Sequence, residues 1–192
     1  MRVIAGTARS LPLKTPQGEG TRPTTDRIKE TLFNILQREV PGCIFADLFS
    51  GSGGIGIEAL SRGAKKAYFV ENAQEALACI QANLSFTRFT EKAVVLKQDV
   101  CAALHNIYEK HVDIIFMDPP YDCGHEKRVL EMLSGMKYVD EETIIIVEAS
   151  LATDFSYLDS LGFELLREKK YKTNQHVFIR KKENKTNRKA FL

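Results

Sequence analysis

The sequence predicts an α/β protein with a mainly parallel, seven-stranded sheet and helices on both faces. From residue 44 onward, short continuously apolar segments alternate with segments of helical periodicity, a pattern typical of buried parallel strands joined by helices. Residues 163–180 instead contain two strand-like segments joined by a short link, which predicts an antiparallel C-terminal hairpin at the edge of the sheet.

The predicted elements follow the chain in a regular order. Strands are expected at residues 44–49, 66–70, 93–97, 112–117, 143–147, 163–170 and 175–180. Helices are expected at residues 56–62, 73–86, 100–108 and 126–136. Before residue 44 we expect a small hairpin of residues 2–5 and 11–14, followed by a helix that Thr24 or Thr25 caps.

Length and composition fit one globular domain of 192 residues, 44% hydrophobic and 27% charged. We divide it into an N-terminal extension (1–43), a core (44–180) and a basic polar tail (181–192). No apolar run approaches the roughly 20 residues of a membrane span, and the N-terminus lacks a signal-peptide pattern, so we expect a cytoplasmic protein without a membrane partner. The cysteines and histidines lack zinc-site spacing, so we expect no metal.

The net charge of +2 is unevenly distributed along the chain. Residues 1–43 carry 7 basic against 4 acidic residues, residues 44–163 carry 10 against 18, and residues 164–192 carry 10 against 3. An acidic body with basic ends indicates a polyanionic partner such as nucleic acid. The alternative is a solvated tail that aids solubility.

The loop after the first predicted strand is rich in glycine. Gly51, Gly53 and Gly56 have the spacing G-x-G-x-x-G, which allows a backbone to approach a ligand closely. Ligands of parallel sheets bind beyond the carboxyl ends of the strands, so Glu71 and Asp99, which follow the second and third strands, should share this crevice. Glu71 can accept hydrogen bonds from ribose hydroxyls, and Asp99 can receive an adenine edge. The glycine spacing alone also fits a nicotinamide-dependent dehydrogenase, or a turn without a ligand.

The segment Asp118-Pro119-Pro120-Tyr121 follows the fourth predicted strand. Its prolines make it a stiff loop that continues neither a helix nor a central strand. Such a loop can hold a carboxylate, a carbonyl and a flat ring in a fixed relation, which suits a planar ligand with donors on its edge. Hydride transfer has no use for this arrangement, so the loop argues against a dehydrogenase. The structural alternatives are core packing by Tyr121 and turn capping by Asp118.

Together these segments resemble the S-adenosylmethionine-dependent methyltransferases that modify exocyclic amino groups and have a Rossmann-like class I fold. The residues that carry this resemblance are 47–53, 70–71, 98–99 and 118–121. Residues 2–9, 22–33 and 57–64 further resemble the bacterial RsmD family, which methylates a guanine N2 amino group in 16S ribosomal RNA. The resemblance covers the chain to about residue 180, and residues 22–33 are its most specific part.

The resemblance implies S-adenosyl-L-methionine as the cofactor, with 16S rRNA in an assembling small ribosomal subunit as the partner. The cofactor residues that it implies are Asp47, Phe49, Gly51, Gly53, Gly56, Glu71 and Asp99. Asp118 and the Pro119 carbonyl then accept the N–H groups of the target amine, and Tyr121 stacks on the extruded base. The RNA contacts that we expect come from Arg2, Arg9, Arg22, Asp26, Arg27 and Pro120. Two alternatives stay open: an adenine-N6 methyltransferase acting on DNA or RNA, and a non-catalytic rRNA-binding assembly protein.

Overall fold

In the computed structural model, residues 1–16, 26–121 and 123–183 are described. These residues form a seven-stranded sheet with the order β3-β2-β1-β4-β5-β7-β6. Strands β1 to β5 are parallel, whereas β7 pairs antiparallel with both β5 and β6. The predicted fold class and its C-terminal hairpin are therefore confirmed. The strands are β1 (Ile44–Leu48), β2 (Lys66–Glu71), β3 (Ala93–Lys97), β4 (Ile114–Met117), β5 (Ile144–Ser150), β6 (Phe163–Lys170) and β7 (Asn174–Lys181).

Helices cover both faces of the sheet. Helices α1, α2 and α3 pack on one face, and α4 and α5 pack on the other. None of the helices in the described ranges is long and apolar enough to cross a membrane. Thr24 and Thr25, which we expected to cap α1, lie outside the described residues. The helices are α1 (Asp26–Ile35), α2 (Gly54–Ser61), α3 (Gln74–Thr87), α4 (Val100–Leu104) and α5 (His125–Ser134).

Successive residues of the central strands alternate between two hydrophobic cores. Phe45, Phe69 and Phe116 belong to the core under α1, α2 and α3, whereas Tyr68 and Met117 belong to the core under α4 and α5. The residue two positions after each of these phenylalanines therefore faces the α1–α3 side at the carboxyl end of its strand. This alternation decides which polar side chains meet.

Two elements end three or more residues away from the end that the sequence predicts. Strand β5 extends to Ser150, beyond the predicted end at residue 147, because β7 continues to pair with it as far as Ser150 opposite Asn174. Helix α4 ends at Leu104, before the predicted end at residue 108. The Tyr138 hydroxyl donates to the Leu104 carbonyl at 2.9 Å and so satisfies one acceptor of this helix end.

The N-terminal extension is fastened to the core by a buried carboxylate. Arg2 and Pro12 form a single antiparallel bridge, which is a smaller pairing than the predicted hairpin. The Glu58 carboxylate, on α2, accepts the backbone N–H groups of Ile4 at 2.8 Å and Ala5 at 3.0 Å. The Lys29 ammonium of α1 lies 3.3 Å from the same carboxylate, with both side chains buried. The extension and α1 are therefore held on the α1–α3 side of the sheet.

Gly56 in the first turn of α2 packs directly on the buried Phe69 ring. A Cβ at Gly56 would lie 2.4 Å from the nearest ring carbon. We expect Gly56→Ala to lower the free energy of unfolding by about 1–3 kcal/mol through overpacking. The control is Gly135→Ala, whose Cβ would lie 3.6 Å from the nearest protein atom, and it should change stability by less than about 0.5 kcal/mol. Urea denaturation measures both, and equal losses would contradict the expectation.

Candidate active site

A cleft at the carboxyl ends of β1, β2, β4 and β5 gathers half of the predicted site residues. Its volume is about 450 Å³, which lies in the range of small-molecule sites. It lies where the strand order reverses between β1 and β4, which is the usual ligand position in open α/β sheets. The predicted residues that line it are Asp47, Phe49, Gly51, Glu71, Asp118, Pro119, Pro120 and Tyr121.

The glycine loop divides into one residue that faces the cleft and two that permit packing. Gly51 has a φ of +53°, and a Cβ there would meet no protein atom within 4 Å. Gly53 and Gly56 do not line the cleft; they lie against the Phe69 ring, and added Cβ atoms would approach it closely. Gly51 is thus the position where the backbone leaves room for a ligand, whereas Gly53 and Gly56 bring the loop and α2 close to β2.

Two carboxylates fix the shape of this loop. Asp47 is buried and accepts the Gly56 N–H at 2.9 Å, which fastens the start of α2 to β1. Burial raises the Asp47 pKa to about 8. Glu71 accepts the Gly51 N–H at 2.9 Å through one oxygen and the N–H groups of Asn72 and Ala73, each at 2.8 Å, through the other. Both side chains are therefore held in one orientation by backbone donors.

The Asp118-Pro119-Pro120-Tyr121 loop forms the wall of the cleft beyond β4. Burial, together with the neighbouring carboxylates of Glu148 and Asp47, raises the pKa of Asp118 above its usual range. Tyr121 is 40% exposed, and its hydroxyl donates to Glu148 at 3.3 Å. The ring therefore lines the cleft without being part of the hydrophobic core.

Glu148 is a buried cleft residue that the sequence analysis missed. It accepts the side-chain N–H of Asn174 at 2.5 Å and contacts His176 Nε2 at 3.0 Å. Like Glu71 and Asp118, it comes directly after an apolar strand segment, so the rule that selected those residues could have found it. It was missed because the rule was applied only to the residues after the first four predicted strands and not to the residue after the fifth.

Lys29 of α1 is a second cleft residue that was missed. Its ammonium donates to the Arg2 carbonyl at 2.5 Å in addition to pairing with Glu58. Burial lowers the Lys29 pKa, and the Glu58 carboxylate offsets part of that effect. The signal was present in the sequence, because Lys29 precedes Leu32 and Phe33 by three and four residues and so lies on the apolar face of the helix.

Asp99 does not line the cleft and instead caps a helix. Its carboxylate accepts the Cys101 N–H at 2.9 Å at the start of α4. Its contact with an adenine edge stays a prediction.

Of the predicted RNA-contact residues, Pro120 lines the cleft, whereas Arg2, Arg9, Asp26 and Arg27 belong to the N-terminal extension. Arg2 donates to the Asp26 carboxylate at 2.8 Å, so these two residues form an exposed ion pair. Arg9 and Arg27 are exposed, and Arg22 lies outside the described residues.

Four carboxylates form a row along the cleft. They are Glu71 of β2, Asp47 of β1, Asp118 directly after β4 and Glu148 of β5. Each follows a residue of the core under α1, α2 and α3 by two positions, so all four side chains face that side of the sheet. Within the described residues, no group of three His, Cys, Asp or Glu side chains could hold a metal ion. The row favours a ligand that carries positive charge or hydrogen-bond donors.

The raised pKa of Asp47 makes stability depend on pH. The folded protein keeps this proton up to about pH 8, whereas the ordinary pKa is 3.8, so unfolding becomes easier as pH rises through this window. Asparagine keeps an oxygen for the Gly56 N–H but cannot ionise. We expect the free energy of unfolding of Asp47→Asn, measured relative to that of the unsubstituted protein, to increase by about 1 kcal/mol for each pH unit from about pH 5 to about pH 7. Denaturant titrations at several pH values measure this difference, and a difference independent of pH would contradict it.

Comparisons with known proteins agree on a family. The family described as "Conserved hypothetical protein 95" matches residues 1–180. The chain is 34% identical over 171 residues to ribosomal RNA small subunit methyltransferase D of Haemophilus influenzae, covering 88% of each protein. It is 38% identical over 150 residues to Bacillus subtilis YlbH, provisionally named an rRNA methyltransferase, covering 77% of this chain and 82% of YlbH.

The fold has a close counterpart among solved structures. Escherichia coli yhhF, provisionally described as a methyltransferase, superimposes with a TM-score of 0.79 at 29% identity. The match covers 95% of this chain and 98% of yhhF. The chain is therefore a methyltransferase with the class I fold, and it belongs to the family described as "Conserved hypothetical protein 95".

Proposed function

We propose that the protein transfers a methyl group from S-adenosyl-L-methionine to the N2 amino group of a guanine in 16S rRNA, within an assembling small ribosomal subunit in the cytoplasm. The observation that carries this proposal is the position of Asp118, Pro119 and Tyr121 in the same cleft as the glycine loop. The name of the Haemophilus influenzae relative supports small-subunit rRNA as the substrate. An aromatic amine is a poor nucleophile because its lone pair is delocalised, so the enzyme's main task is to position it.

The cleft fits the proposed cofactor in shape and charge. The open space at Gly51 accommodates a ligand against the backbone, and Phe49 and Ile55 supply apolar surface. A carboxylate has about four acceptor positions, and the three donors on Glu71 leave capacity for a ribose hydroxyl. The acidic row complements a sulfonium cation. When bound, the cofactor supplies an electrophilic methyl group on this positively charged sulfur.

Asp118 and the Pro119 carbonyl hold the target amine in this proposal. Each accepts one N–H, which fixes the nitrogen and turns its lone pair toward the methyl group. The nitrogen gains a carbon and must lose one proton. The pKa of Asp118 is raised by burial and by the adjacent carboxylates, so its ionised form is a stronger proton acceptor than an ordinary aspartate.

Tyr121 provides the surface for the extruded base. Its ring is half-exposed in the cleft, and its hydroxyl is held by Glu148, so the ring is available in a fixed orientation. Stacking on an aromatic ring contributes about 1–3 kcal/mol and offsets part of the energy needed to unstack the base. The exposed Arg9 and Arg27 provide phosphate contacts, which position an RNA without selecting its sequence.

Identification of the product tests the proposed function. The protein is incubated with labelled S-adenosylmethionine and separately with DNA, free rRNA and undermethylated small subunits, and the methylated nucleoside is then identified. We expect N2-methylguanosine at one position of 16S rRNA. N6-methyladenine would support the adenine-specific alternative, and RNA binding without transfer to any substrate would support an assembly protein.

Substitutions at Glu71 and Asp118 should separate cofactor binding from methyl transfer. Glu71→Ala removes a ribose acceptor and should weaken cofactor binding by roughly 10-fold or more, with partial rescue at high cofactor concentration. Asp118→Ala should leave cofactor affinity near that of the unsubstituted protein and slow single-turnover transfer by roughly 100-fold or more at saturation.

Calorimetry and single-turnover kinetics measure the two effects. Glu75→Ala is the control, because Glu75 is an exposed carboxylate in the first turn of α3 that does not line the cleft. It should change neither quantity. Loss of cofactor binding in Asp118→Ala, or an unchanged transfer rate, would contradict the role of Asp118.

A further inference from the structure

Glu148 and Asp118 occupy neighbouring positions in the cleft. Strands β4 and β5 are parallel, and their last registered pair is Met117 opposite Val147. Asp118, directly after β4, and Glu148, in β5, each follow this pair by one residue, and neighbouring strands lie about 4.8 Å apart. Both side chains line the cleft, and the charge of Glu148 contributes to the raised pKa of Asp118. The cleft thus presents two adjacent carboxyl groups.

Glu148 is held rigidly by three side chains. One oxygen contacts Tyr121 Oη and Asn174 Nδ2, and the other contacts His176 Nε2 at 3.0 Å. His176 is itself fully buried, and its Nδ1 lies 3.1 Å from the Tyr171 hydroxyl. If Tyr171 donates to Nδ1, Nε2 carries the hydrogen that faces Glu148, and every group in this network has a partner.

The network leaves Glu148 with acceptor capacity. A carboxylate offers about four acceptor positions, whereas three donors contact Glu148. The oxygen that faces His176 has one of these donors, and the other oxygen has two. A ligand in the cleft can therefore donate a further hydrogen bond to this side chain.

Guanine and adenine differ in the atom beside the amino group. Guanine presents an N1–H donor next to its N2 amino group, whereas adenine presents an N1 lone pair next to its N6 amino group. Two adjacent carboxylates match the two neighbouring donors of guanine. With adenine, the second carboxylate would face a lone pair, which repels it and leaves it without a partner.

We infer that Glu148 selects guanine over adenine by accepting the guanine N1–H while Asp118 holds the adjacent amino group. This inference rests on the proposed function and adds a specificity-determining residue to it. A hydrogen bond from a base to a carboxylate corresponds to a discrimination of about 10- to 100-fold. It also gives the buried Glu148 a role beyond orienting Tyr121.

The test replaces the target guanine with 2-aminopurine, which keeps the N2 amino group but has an unprotonated N1. The target guanine, mapped by product analysis, is replaced by 2-aminopurine in 16S rRNA that is assembled by ligation. This RNA is supplied either free or in the small subunit, whichever form the unsubstituted enzyme methylates. Single-turnover rates at saturating cofactor are compared for the unsubstituted enzyme and Glu148→Gln. The unsubstituted enzyme should transfer to 2-aminopurine about 10- to 100-fold more slowly than to guanine.

Glu148→Gln should lose most of this preference. The glutamine carbonyl still accepts from neighbouring donors, and its amide can donate to the bare N1 of 2-aminopurine, so the two rates should approach each other. 2-Aminopurine also lacks the O6 atom of guanine, but that loss slows both enzymes equally and cancels in the comparison. Tyr121→Phe is the matched control: it removes a donor to Glu148 but keeps the carboxylate, so the preference should persist.

The outcomes separate the inference from the proposed function. An undiminished preference for guanine in Glu148→Gln, with cofactor affinity unchanged, would overturn the role of Glu148 while N2-methylguanosine still supported the proposed function. If Glu148→Gln does not fold, equal rates of the unsubstituted enzyme on the two bases would overturn the inference. Absence of transfer to any guanine would instead overturn the proposed function itself.

Discussion

The cleft depends on one constraint: four parallel strands end at the same edge of the sheet, and the carboxylates at their ends point to the same face. In each strand, a buried apolar residue packs into the core under α1, α2 and α3, and the carboxylate two positions later lies on the same face at the edge of the sheet. A shift of one residue in any strand would turn its carboxylate to the opposite face. Strand register therefore positions the acidic row more directly than any contact among its members.

Backbone and side-chain donors then fix three of the four carboxylates in place. Asp47 is held by Gly56, Glu71 by Gly51, and Glu148 by Asn174 and neighbouring polar side chains. Oriented acceptors of this kind need no rearrangement when a ligand arrives, and preorganisation of this type is a major source of catalytic rate enhancement. Burial deprives the ionised forms of these carboxyl groups of solvation free energy, and the pKa values of Asp47 and Asp118 are raised for this reason.

The N-terminal extension is coupled to this site through a buried cluster around Glu58. Glu58 of α2 binds the backbone of the extension and pairs with Lys29, whose side chain also lines the cleft. A buried ion pair contributes little net stability when both partners are desolvated, but removal of one partner leaves an unpaired buried charge. This cluster therefore fixes how the extension and α1 sit against the cleft.

Much of this arrangement could be predicted from local sequence patterns. Continuous apolar runs marked the strands, and glycine and proline marked the two loops, because these signals act within a few residues. Glu148 directly follows the fifth predicted strand, but its partners Asn174 and His176 lie on β7, and local patterns do not show this contact between distant segments. The partnership of Lys29 with Glu58 likewise joins residues far apart in the chain. The predicted start of α4 at residue 100 agrees with the structure, so Asp99, directly before it, could have been assigned as the cap from the sequence.

The position of the target amino group relative to Asp118 and Pro119 decides whether the loop after β4 holds the nucleophile. A crystal structure of the protein with a non-reactive analogue of S-adenosylmethionine and the RNA substrate would measure this position. We predict that guanine N2 lies within about 3.2 Å of both an Asp118 carboxylate oxygen and the Pro119 carbonyl oxygen. An ordered target base whose amino group points away from Asp118, with Asp118 contacting only the cofactor, would contradict it.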